Sequence, residues 1–313
     1  MILVLFVHYF PHRLQQTPVT IHEAPLETIF NLELHSICVV CVNVFVIVSG
    51  YFGIRRRRKS IVRLVSDIWF WLLLALAVYI SVFDHQMSVA EIGLSLLHSW
   101  CAWFIVGYLG LYILSPVLNA FIDHVGRQML LKVTLVFWGF AILYGYFIYG
   151  IMHAPRDFNE GMSILAMSGL YLIGACLRGV RSKWLGTTAY GSLWRFLFLT
   201  CIMTAGASVA LLMGIKASPY GYLNPIVLCE SVLLFMVFRN MRPSSWPVVN
   251  SLAKAAFSVY IVHQVSVLTT QYHQVCSWIQ DNFTYPLFPA IGFMVAVYIV
   301  VWVIYTIWCK IRP

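Results

Sequence analysis

Charge is what this sequence has least of. Only 10% of its 313 residues are Asp, Glu, Lys or Arg, against about 25% in a soluble globular protein. With 61% hydrophobic and 16% aromatic residues, that scarcity excludes a disordered chain and an ordinary cytosolic enzyme. There is no Walker-type or G-x-G-x-x-G loop, so nothing points to nucleotide hydrolysis. No internal repeat is visible, and no Pro- or Gly-rich linker divides the chain. The eight cysteines do not read as a disulfide framework. Cys38, Cys41, Cys176, Cys201, Cys229 and Cys309 sit in apolar runs, where a thiol acts as a small hydrophobe. Cys38 and Cys41 form a C-x-x-C without the second pair that a zinc site requires. A bridge between Cys276 and Cys101 is the one pairing an outer face would allow.

What the chain does have is long apolar runs, with a mean hydropathy of +0.84. They fall near residues 1–10, 35–54, 61–83, 100–122, 129–149, 162–178, 192–214, 222–238, 251–270 and 287–309. A helix needs about 20 residues to cross a bilayer. The expectation is therefore an all-α polytopic transmembrane bundle of about ten spans, a single domain over 1–310. The first run, MILVLFVHYF, is only half a span and stops at Pro11, which cannot continue a helix unbroken. It has no basic leader or small-residue cleavage site, so it does not read as a signal peptide.

The charges orient the spans. With Met1 on the cytoplasmic side, all 20 Lys and Arg except Arg13, Arg156 and Lys216 fall in cytoplasmic loops. Glu23, Glu27, Glu33, Asp84, Glu91, Asp157, Glu160 and Asp281 fall outside. A miscounted span would invert every later loop and spoil that separation. Both termini are expected in the cytoplasm, and the formal charge of +9 reflects topology rather than nucleic-acid binding.

Ionisable groups within apolar runs are the first candidates for chemistry, because lipid makes them costly. His8 (FVHYFPH), Asp67, Glu230 (VLCESVLLF) and His263 (FSVYIVHQ) qualify, with His35 and His98 nearer the span ends. A neutral imidazole can take a proton from an attacking hydroxyl. It can equally be a buried group bonded to a neighbouring helix. Glu230 reads as a catalytic acid or base, a proton-relay group, or a partner of a buried cation. Asp67 lies at i+4 from Arg63, the spacing of a helix-face ion pair. His8 and His12 share a spacing suited to metal, but Pro11 lies between them. No other cluster has ligand spacing, so no metal is expected.

Residues 55–63, RRRRKSIVR, are the densest charge feature. They read either as a topogenic anchor beside anionic headgroups or as a phosphate clamp, since Arg offers paired donors to phosphate oxygens. Trp100, Trp103, Tyr108 and Tyr112 read as an interfacial belt or as a sugar-stacking platform.

Three stretches together resemble the bacterial acyltransferase 3 family of integral-membrane O-acyltransferases. They are NVFVIVSGYF (43–52) with the basic run after it, WFIVGYLGLYILSPVLN (103–119), and FSVYIVHQ (257–264). The resemblance implies an acyl-CoA donor, usually acetyl-CoA, on the cytoplasmic side of the bacterial inner membrane. It implies a hydroxyl acceptor on a cell-surface or lipid-linked glycan. His8 matches the family's first-span histidine, its leading catalytic candidate. Arg55, Arg56, Arg57, Arg58 and Arg63 match its basic region; its R-x-x-R is met by Arg55 with Arg58, whereas a register ending at Arg63 places Ser60 at the other arginine. Glu230 and His263 are the candidates for orienting His8. The family also carries an arginine well upstream of the histidine, and counting back from His8 runs out at Met1. A ten-residue helix reaches about 15 Å, short of the hydrocarbon core of about 30 Å. The expectation is that upstream sequence is missing, through a late start codon or in a truncated, inactive copy. The competing function is a lipid-linked sugar transporter or flippase whose buried His and Glu couple to protons. Transporters often carry internal repeats and paired broken helices, neither of which is found here.

Overall fold

The computed structural model describes residues 1–9, 18–55, 57–83, 86–148, 158–180, 185–214, 219–242 and 246–311. Pro11, His12, Arg13, Arg56, Asp84, Arg156, Asp157, Arg181, Lys183, Lys216 and Arg312 lie outside the described residues. In chain order the helices are α1 (Ile2–Tyr9), α2 (Pro18–Glu23), α3 (Pro25–Val39), α4 (Cys41–Phe52) and α5 (Arg58–Val82). There follow α6 (Val89–Trp100), α7 (Trp103–His124), α8 (Arg127–Ile142), α9 (Ile164–Cys176) and α10 (Ala189–Leu212). The last five are α11 (Pro225–Asn240), α12 (Pro247–Lys254), α13 (Ala256–Tyr260), α14 (Thr269–Asn282) and α15 (Leu287–Ile311). Among the described residues there is no strand.

Six helical stretches are long and apolar enough to cross a membrane: 25–52, 58–82, 103–124, 127–148, 189–212 and 287–311. Only 17% of the apolar window in 127–148 and 22% of that in 287–311 is buried. Most of their apolar side chains face outward, as lipid-facing helices require. The other four apolar runs form shorter elements. Residues 1–10 give α1, and 162–178 give the 13-residue α9. Residues 222–238 give the 16-residue α11, started late because Pro225 sits at its N-terminus. Residues 251–270 break into α12, α13 and a π turn (Ile261–Val265). Ten apolar runs are thus not ten full-length helices.

The chain gathers into two compact units, residues 1–12, 57–102 and 243–313 in the first, and 13–56 and 103–242 in the second. In the first, α5 meets α15 where Phe70 stacks on Trp308 at 4.1 Å and the Trp308 indole donates to Asp67 at 2.8 Å. In the sequence the i+4 spacing pairs Asp67 with Arg63, and the Trp308 indole from another helix is one partner its carboxyl has in the structure. Ser88 and Glu91 close a capping box that starts α6, and Ser88 holds the Glu91 carboxyl below the usual carboxylate range. Cys101 and Cys276 are both free, so the bridge the sequence allowed is not made. Burial pushes the Cys276 thiol up to about 12.

The second unit is organised around α4 and α9. A Cβ on Gly50 would stand 2.1 Å from the Tyr171 carbonyl oxygen, and one on Gly174 2.1 Å from that of Ile47. The two backbones touch, which only glycine permits. Pro116 inside α7 removes the donor that would serve the Tyr112 carbonyl four residues back. The Ser115 hydroxyl takes over that carbonyl at 2.8 Å, which explains the Ser-Pro pair in physical terms.

Candidate active site

His8 and His263, 255 residues apart, meet in the first unit, with His8 Nδ1 2.9 Å from His263 Nε2. Their ring centroids are 5.1 Å apart. His8 lies in the last turn of α1, which buries Leu5 and Tyr9. Two side chains of α14 fasten it there. The Tyr272 hydroxyl donates to the Leu5 carbonyl at 3.0 Å, and the Gln280 amide to the Tyr9 carbonyl at 3.2 Å. A helix end leaves such C-terminal carbonyls without intrahelical partners. His263 sits in the π turn after α13 and is 1% exposed. Its Nδ1 lies 2.6 Å from the Val259 carbonyl. Ser99 and Ser266 bond the Val265 and Val262 carbonyls that flank it. The Tyr272 ring packs edge-on against His263 at 5.2 Å.

This arrangement fixes the tautomers. A carbonyl only accepts, so His263 Nδ1 carries a hydrogen, and in the neutral ring Nε2 is then an acceptor. The proton between the two rings therefore belongs to His8 Nδ1. In neutral His8 that leaves Nε2 with its lone pair, and no hydrogen bond is made to it among the described residues. The order is carbonyl, His263, His8, proton acceptor. It is the geometry by which one group orients an imidazole that acts as a base.

Glu230 lies in the second unit and is fully buried. Its Oε1 accepts from Ser36 at 3.3 Å, and its described partner is thus a hydroxyl rather than an imidazole. Arg55, Arg57, Arg58 and Arg63 are all exposed, and Arg56 is outside the described residues. The turn leading to them is firmly held. Gly53 takes a left-handed φ of 78°. The Ile54 amide donates to the Tyr171 hydroxyl at 2.8 Å, and its carbonyl accepts from Asn119 at 2.9 Å. Arg178 donates to the Tyr51 and Gly50 carbonyls at 2.7 Å each, closing the end of α4. Among the described residues, Arg55, Arg58 and Arg63 make no ion pair.

Nothing in the local residue pattern singles out Tyr272 and Gln280, which dock the first helix. The one local signal is the polar stretch QYHQ (271–274), which holds Tyr272 but not Gln280 and follows the FSVYIVHQ run after six residues.

The class these observations define is an all-helical, multi-pass membrane protein with a paired-histidine site. A family model described as an acyltransferase domain matches residues 1–306. The chain belongs to the acyltransferase 3 family of membrane O-acyltransferases. No curated protein and no solved structure matches it.

Proposed function

We propose that this protein moves an acyl group, acetyl in the simplest case, from cytoplasmic acyl-CoA to a hydroxyl of a cell-surface or lipid-linked glycan. His8 is the general base in this reading and His263 its positioning residue. The observation that carries it is the 2.9 Å bond from His8 Nδ1 to His263 Nε2, which leaves Nε2 of His8 to meet a substrate proton. His8 Nε2 takes the hydroxyl hydrogen as the acceptor oxygen attacks the thioester carbonyl. The tetrahedral adduct collapses, the carbon–sulfur bond breaks, and the leaving thiolate takes the proton back from His8. While His8 is charged, its Nδ1–H bond to His263 strengthens, because a charged donor bonds more tightly than a neutral one. The exposed arginines Arg55, Arg57, Arg58 and Arg63, with Arg56 between them, offer the donors for the phosphates of the CoA moiety. Membership of the acyltransferase 3 family supports the reaction class. In this reading the protein sits in the bacterial inner membrane, with both termini in the cytoplasm as the distribution of Lys and Arg favours.

The test supplies radiolabelled acetyl-CoA to membranes carrying the protein and follows label into glycan. His8→Ala is expected to lose about 10²- to 10⁴-fold in rate, the usual contribution of a general base, at unchanged protein level. A preserved rate would overturn the assignment of His8. Movement of glycan across the membrane without any acylation would favour a transporter instead.

A further inference from the structure

One outward-facing groove in the first unit has no part in this chemistry. Ser66, Trp69, Phe70, Leu73 and Leu74 of α5 and Trp308 of α15 line a volume of about 600 Å³, the size of a site for a single ligand. Its walls are braced. Phe70 and Trp308 stack at 4.1 Å with their planes 7° apart, and Asp67 accepts from the Trp308 indole at 2.8 Å. Trp69 rests on Trp100 of α6, ring centroids 5.5 Å apart. The groove is thus preformed, and an occupant need not reorganise it. Ser66 brings a hydroxyl to this lining. On other apolar helices Ser49, Ser168, Ser208 and Ser231 each return the hydroxyl to the carbonyl four residues back. The Ser66 hydroxyl makes no hydrogen bond among the described residues. Lys59, Arg63, Ser66, Phe70 and Leu73 stand at i, i+4, i+7, i+11 and i+14, which is one stripe of α5. Lys59 and Arg63 are exposed and form no ion pair among the described residues. From Arg63 to Leu74 the helix rises about 16 Å, which matches one leaflet of a hydrocarbon core about 30 Å thick.

We propose that this stripe binds one anionic phospholipid, with its phosphate at Lys59 and Arg63, its ester region at the Ser66 hydroxyl and an acyl chain in the groove between α5 and α15. Charge complementarity selects the occupant. The chain of any lipid could fill the apolar part, but a zwitterionic headgroup sets its own ammonium against two cations, whereas an anionic one does not. A basic residue near an anionic lipid surface favours binding about 5-fold, so two give about 25-fold. In the orientation that the Lys and Arg distribution favours, the basic end of α5 faces the cytoplasmic leaflet, where anionic lipids are found. The site is independent of acyl transfer, and Arg63 can meet the phosphate of a lipid or of CoA with the same donors.

Photo-crosslinking tests this on the full chain in phosphatidylcholine vesicles without acyl-CoA. Trace phosphatidylglycerol or phosphatidylcholine carries a diazirine in one acyl chain, and peptide mass spectrometry counts adducts on residues 66–74 relative to those on α8, whose apolar face is largely unburied. That ratio should be about 25-fold higher with the phosphatidylglycerol probe, and Lys59→Gln with Arg63→Gln should bring the two probes together. Ser66→Phe, which fills the groove, should remove most adducts on 66–74 with either probe while those on α8 persist. Leu73→Trp fills it from the exposed side and should do the same, so one misfolded variant leaves the test standing. Equal ratios for the two probes in wild type would mean ordinary boundary lipid and would overturn the proposal. So would a selectivity that survives loss of both cations, or groove labelling that neither filling variant lowers. Displacement of the probe by palmitoyl-CoA but not by unlabelled phosphatidylglycerol would give the groove to an acyl donor instead, and that too would overturn it.

Discussion

Replacing His263 separates a positioning role from a merely structural one. The bond at stake runs from His8 Nδ1–H to His263 Nε2 at 2.9 Å. A hydrogen bond from a charged donor contributes about 1.5–3 kcal/mol. His8 carries that charge only after taking the substrate proton, so the loss falls on the chemical step. At about 1.4 kcal/mol per factor of ten, His263→Ala should lower kcat about 10- to 150-fold while leaving KM for acyl-CoA unchanged. Gln places an amide oxygen near where Nε2 stood, so His263→Gln should recover much of the rate. Because both histidines serve one proton transfer, His8→Ala with His263→Ala should be no slower than His8→Ala alone. Acyl transfer in reconstituted vesicles, with labelled donor varied at saturating acceptor, gives all four rates. Independent, multiplying losses would refute the reasoning, as would a Gln variant no better than Ala.

Three further outcomes follow from the geometry. Gly50→Ala and Gly174→Ala each drive a methyl to 2.1 Å from a backbone oxygen. Each should cost at least about 1–3 kcal/mol, as overpacking does, and appear as a lowered Tm in detergent or as lost folded protein. Tyr272→Phe removes the donor to the Leu5 carbonyl and should destabilise by about 1–3 kcal/mol, the cost of a buried acceptor left bare. Faster hydrogen exchange in residues 2–9 would report that loosening. Glu91, held below its ordinary range by Ser88, reinforces the start of α6 above its unfolded pKa and loses that reinforcement as pH falls through the depressed folded value. Exchange at residues 89–92 should therefore quicken at acid pH in wild type, and Ser88→Ala, which removes the hydroxyl but keeps the backbone N–H bond to Glu91, should weaken that pH dependence.

The six long helices were legible because hydropathy reports length, and each of them is 22 residues or more. Residues 162–178, 222–238 and 251–270 are as apolar as the rest, yet hydropathy alone does not reveal where a helix is capped. Ser163 starts α9, Asn224 and Pro225 start α11, and a π turn ends the helix carrying His263. His8 and His263 could each be singled out as ionisable groups in apolar runs. Their meeting could not, since 255 residues separate them and only tertiary packing by Tyr272 and Gln280 brings α1 to α14. Glu230 was visible as a buried acid, but its bond from Ser36 of α3, 194 residues away, depends on tertiary packing. The arginines at 55–63 were legible as a run. The clamp behind them was not, because Arg178, Asn119 and Tyr171 come from distant helices and read individually as ordinary residues.

The contact of bare backbone at Gly50 and Gly174 bears on how this unit can move. Helices separated by side chains can slip past one another by trading rotamers, but two main chains in direct touch have nothing to trade. Any displacement must carry the pair as a single stiff beam. The Gly53–Ile54 turn hangs from the end of that beam, so Arg55 leaves it from a fixed bearing rather than from a slack loop.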